Sequence, residues 1–171
     1  MDKATLQTID RLEDVLKQSL NRYGQLASLL DRKRQALRDG KPEDMTRAGE
    51  LEQSVLQSVA DLEQRRVALV ADLASKLRVD TPTPPKMRDL AEALPEPHRG
   101  RLLLTRTRLV QAMQEVQEKT SVVRRASESL VAHVNGLIRT LGVVSTGGAA
   151  YGQTGRVMNR PAPMRRLNLT A

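Results

Sequence analysis

Cysteine, phenylalanine and tryptophan are absent from this 171-residue chain, and its only aromatic rings are Tyr23 and Tyr151. Without cysteine there are no disulfides, no thiol nucleophile and no thiolate metal site, a composition compatible with a reducing compartment. Without large rings a thick globular core is hard to fill, whereas Leu, Val, Ile and Ala suit a thin seam between helices. No run approaches the ~18 apolar residues of a membrane span. The opening Met1-Asp2-Lys3-Ala4-Thr5-Leu6 reads straight into an amphipathic helix and lacks the basic-then-apolar layout of a signal peptide. These absences predict a cytoplasmic protein with no stable membrane insertion.

What the chain does have is a seven-residue apolar beat in three segments. Ile9, Leu16, Tyr23, Leu30 and Leu37 form the first; Ala48, Val55, Leu62 and Leu69 the second; Leu102, Leu109, Val116, Val123, Leu130, Leu137 and Val144 the third. That spacing holds one seam on a helix face only when helices wrap around one another. The predicted fold is all-α: an elongated antiparallel helical bundle or coiled coil of three long helices, followed by a flexible C-terminal tail.

Punctuation sets the boundaries. Asp39-Gly40 ends a first helix over about 3–38, and Pro42 with Glu43 and Asp44 opens a second over about 42–78. So short a turn makes the two antiparallel neighbours, each ~50 Å long. Thr81-Pro82-Thr83-Pro84-Pro85 cannot be helix interior. A short helix is predicted over 86–93 and, after Pro95-Glu96-Pro97, the longest over 98–141. Residues 1–141 form the bundle in this reading. Residues 142–171, with Gly147, Gly148, Gly152, Gly155, Pro161 and Pro163, form the tail.

The net charge of +8 is divided between these parts. The tail carries Arg156, Arg160, Arg165 and Arg166 and no acid, while mixed charge covers the helical body. Four scattered arginines leave open a nucleic-acid or anionic-lipid surface, although no nucleic acid is the expected partner. Nothing in the chain spells out catalysis. His98 and His133 are too far apart in sequence for a local metal pair, and no phosphate-cradling glycine loop follows a strand. Ala132-His133-Val134-Asn135-Gly136 faintly resembles a histidine phosphotransfer motif but lacks its lysine, so His133 reads as an edge of the seam. The chain is read as a non-enzyme with no cofactor.

The beat of the third helix outlasts those of the other two. Its C-terminal part, with Leu130, Val134, Leu137, Leu141 and Val144, is therefore expected to lack an intramolecular partner and to offer a stripe for a client helix. The alternatives are that the stripe closes the bundle or a homodimer, making the protein a self-associating structural or adaptor coiled coil. Tyr23 lies on the beat and reads as a core residue. Tyr151 sits among glycines beyond the last helix, where an isolated ring reads as a contact residue.

The layout resembles the FlgN-like flagellar export chaperones. The resemblance is carried by Tyr23-Gly24-Gln25-Leu26 and Gln35-Ala36-Leu37-Arg38-Asp39-Gly40 in the first helix, and by Leu62-Glu63-Gln64-Arg65-Arg66 in the second. A terminal helix ending Val134-Asn135-Gly136-Leu137-Ile138-Arg139-Thr140-Leu141, then Tyr151-Gly152-Gln153-Thr154-Gly155, completes it. The chain departs from the family at Lys119-Thr120-Ser121, where members often carry an Asn, and in its extension past Gly155. The resemblance implies a cytoplasmic chaperone for the hook-associated proteins FlgK and FlgL. It would deliver them to the type III export gate, whose receptor is FlhA. It places client binding on the last helix and tail, and gate contact on Tyr151 and Gly155.

Overall fold

The computed structural model describes residues 2–79 and 86–147, with side chains as far as 141. Among the described residues there are four helices: α1 (Lys3–Asp39), α2 (Pro42–Leu77), α3 (Met87–Glu92) and α4 (His98–Gly147). No strand occurs among the described residues, so the all-α expectation holds. α4 continues to Gly147 where the sequence placed its end near Leu141. The proline-rich segment after α2 and the residues beyond Gly147 lie outside the described residues.

Local chemistry explains where the helices start and stop. The Asp2 carboxylate accepts the Thr5 backbone N–H at 2.8 Å, satisfying one of the free donors at the start of α1. Gly40 ends that helix in the left-handed conformation, φ 64°, which a residue without Cβ adopts freely. Pro42 then occupies the first turn of α2, with Glu43 and Asp44 beside the positive helix end. Arg78 closes α2 at φ 52°, a left-handed cap without the benefit of glycine.

Cross-helix contacts fix directions. Thr8 meets Asp72 and Lys76, and Lys33 forms a half-buried ion pair with Glu52, so α1 and α2 run antiparallel. On the other flank of α1, Arg101 Nε lies 3.4 Å from Glu13 Oε1, and Lys119 Nζ lies 2.6 Å from Asp31 Oδ2. Both pairs join residues 88 positions apart, so this part of α4 runs parallel to α1 in a constant register. Carrying that register forward sets Asp39, the last residue of α1, level with Ser127.

The core is thickest at one end. Ile9, Leu12 and Leu16 of α1 pack with Val70, Leu73 and Ala74 of α2, with Leu90, Ala91 and Leu94 from α3 and its exit, and with Leu102 of α4. The short helix therefore plugs the gap left where α2 ends. Towards the α1–α2 turn the seam narrows to Leu26, Leu30, Ala36, Ala48, Leu62 and Val123. Tyr23 is half-buried against α2, and burial, then the neighbouring Glu63 carboxylate, push its hydroxyl above the ordinary tyrosine range.

Candidate functional site

The chain divides into two compact units, one ending at Ser127 and the other starting at Glu128. The boundary falls where the register of α4 on α1 runs out. Below it, polar clasps hold α4 in place. The Lys119 ammonium is held above its ordinary value by hydrogen bonds to Asp31 and then Glu115. Lys119 is thus one of the side chains that tie α4 to α1, with Arg101 at Glu13 the other. Glu13 is almost wholly buried and faces both Arg101 and His98, whose Nδ1 lies 3.7 Å away.

Beyond the boundary the helix has a different character. From Glu128 to Leu141 every side chain is exposed. An amphipathic helix normally hides its apolar stripe. This one shows Leu130, Val131, Val134, Leu137, Ile138 and Leu141 at 44–67% exposure. Their spacing places Leu130, Val134, Leu137 and Leu141 on one line, with Val131 and Ile138 about a quarter of a turn to one side. Four of the five stripe residues expected from the sequence are therefore exposed together; the side chain of Val144 lies outside the described residues, as do Tyr151 and Gly155. Val131 and Ile138 were missed because a strict seven-residue beat selects a narrow seam. The i, i+1, i+4, i+8 pattern of a broader helix face would have found them.

Other chemistry is sparse. His133 is exposed on this same helix, whereas His98 is half-buried beside Glu13. Among the described residues no group of three His, Asp or Glu side chains is placed to hold a metal ion. None of the described helices is long and apolar enough to cross a membrane. The arrangement is suited to holding an apolar surface.

The family model described as FlgN protein matches residues 1–158, which include both the bundle and the uncovered helix face. The chain belongs to the FlgN family. No curated protein and no solved structure matches it. FlgN proteins are chaperones of flagellar protein export, and the helical bundle with its open apolar face is consistent with that role.

The ion pairs give this FlgN protein a defined pH response. The Arg66 guanidinium holds the Glu63 carboxyl below the usual range against some desolvation, and Lys76 and Thr8 do the same for Asp72. A carboxylate depressed in the folded state adds stability above its unfolded value, and that stability is lost as pH falls through the folded value. The Lys119 contribution has the opposite sign, present at neutral pH and lost only as pH rises through its elevated value. Stability should be flat around neutrality and fall below about pH 4. In urea melts at pH 7, 4 and 3, Glu63→Gln/Asp72→Asn is expected to lose less on acidification than the parent chain. An equal loss would assign the acid response to other carboxylates.

Proposed function

We propose that this FlgN-family protein works in the cytoplasm as the chaperone of the hook-associated proteins FlgK and FlgL. It holds their terminal helices against Leu130, Val134, Leu137, Leu141 and Val144 and delivers them to FlhA at the export gate. The observation that carries the reading is the uncovered stripe from Leu130 to Leu141. Covering one Leu-sized side chain is worth about 1.5–3 kcal/mol gross. Three or four such anchors, less the cost of ordering, are enough for micromolar binding. Val131 and Ile138 widen the stripe to the breadth of a helix-in-groove contact.

Gate contact is assigned to Tyr151 and Gly155, separate in sequence from the stripe. The deciding experiment is a calorimetric titration with the terminal helical regions of FlgK and FlgL from the same genome. Saturable one-to-one binding that survives moderate salt is the expected result, and no binding to either would remove the client assignment. In the same assay Tyr151→Ala is expected to leave client affinity unchanged while weakening capture by the cytoplasmic part of FlhA. Equal loss of both would merge the two roles.

A further inference from the structure

The uncovered stripe on α4 is broader than one partner helix requires. Written as heptads with Val134 and Leu141 at a, Leu130 and Leu137 stand at d, and Val131 and Ile138 at e. A helix facing one neighbour buries about two positions in seven, whereas a helix in a bundle core buries about three, because a second neighbour covers the added flank. The stripe has the three-position pattern through two full repeats, and its e residues Val131 and Ile138 are 59% and 61% exposed.

Elsewhere on α4 the e position follows the number of neighbours. The d line runs unbroken into the stripe through Leu102, Leu109, Val116 and Val123, all buried or half-buried in the seam. Beside it at e, Leu103 packs on the cluster to which α1, α2 and α3 all contribute. Val110, one heptad on, is already 39% exposed. Gln117 and Arg124 follow, polar and exposed, along the stretch clasped to α1 by Lys119. The hollow beside Val123 is walled by α1 and α4 residues. Past Ser127 the e position turns apolar again at Val131 and Ile138, as it is where α4 has several neighbours.

We propose that the stripe takes two helices of one client molecule, with α4 lying in the groove between them. One client helix continues the seam along Leu130 and Leu137, the other covers Val131 and Ile138, and Val134 and Leu141 sit between the two. Between Leu130 and Leu141 the stripe is bordered by His133, Asn135 and Thr140, with no acid, lysine or arginine, and the helical spacing puts Arg139 on the opposite face. Both client helices therefore present apolar, uncharged faces. Two helices of one chain also bind at a raised effective concentration, the second following the first. The identity of the client rests on the function proposed above.

The test is calorimetry on the full chain with the two terminal helical regions of FlgK, supplied separately and joined through a flexible linker. The joined pair is expected to bind one-to-one and at least roughly tenfold more tightly than either region alone. Val131→Gln/Ile138→Gln gives the e position the polarity it has at Gln117. This variant should lose the advantage of the joined pair and keep the parent affinity for the tighter single region. Both positions are exposed, so its melting temperature should stay within about 2 °C of the parent. Equal affinity for joined and single regions, or equal losses for both in the variant, would overturn the two-helix arrangement and leave the client assignment standing. A complex with two client molecules, or with two copies of this chain, would overturn it as well. Failure of all three ligands to bind would remove the client assignment itself, and this arrangement with it.

Discussion

Replacing Val134 and Leu137 together by aspartate is expected to abolish client binding while barely changing the melting temperature. Both side chains are about half exposed in the free protein, so neither contributes to the packed core. Surface substitutions of this kind usually fall within about 0.5 kcal/mol of neutral, or roughly 2 °C for a chain of this size. Binding is another matter. Two buried anchors contribute about 3–6 kcal/mol gross, which corresponds to a loss of roughly 100-fold to 10,000-fold in affinity. Two carboxylates placed against an apolar client helix add a desolvation penalty. Calorimetry and a thermal melt on the same preparation decide the matter. Retained affinity would move the client face elsewhere, and a large drop in melting temperature would mean that the stripe is covered in the free chain.

The opposite pattern is expected for Leu16→Ala. Leu16 has no exposed surface and lies in the cluster joining α1, α2, α3 and the start of α4. Truncating a buried leucine costs about 2–5 kcal/mol, through lost transfer energy and the cavity left behind. That is a large fraction of the 5–15 kcal/mol that holds a typical domain together. The melting temperature should fall by about 5–20 °C. Client affinity measured well below the new midpoint should be unchanged, because the stripe lies in the other unit. A small shift would show that the cluster relaxes around the smaller side chain, and a loss of affinity at low temperature would couple the core to the stripe.

Much of this architecture could be read from the chain because its signals are local. Gly40 and Pro42 punctuate the α1–α2 turn by conformational preference alone, and the boundaries they predict agree with the helices to within a residue or two. The beat through Ile9, Leu16 and Leu30 marks side chains that are buried. Other features depend on tertiary register and were not legible. Nothing in the surroundings of Glu13 announces a buried carboxylate facing Arg101 across 88 residues. A groove on α1 and α2 is equally hidden, since its walls Leu29, Arg32 and Leu51 belong to no single periodic stripe. At the stripe, the heptad template found Leu130, Val134, Leu137 and Leu141 but passed over Val131 and Ile138. Those two widen the face because, among the described residues, no helix packs against α4 there.

The level at which α1 ends has a thermodynamic consequence for α4. As far as Ser127, opening the α4 backbone means breaking the clasp at Lys119 and exposing Val123, so this stretch shares in the cooperative unfolding of the bundle. From Glu128 onward each turn is held by its own backbone hydrogen bonds and intrinsic propensity, and Gly136 weakens the latter. An isolated helix of that length is marginal in water. α4 is thus one element of secondary structure but two separate foldons. The second can fray and re-form while the first remains intact, so the face proposed for client adapts its winding without loosening the body that carries it.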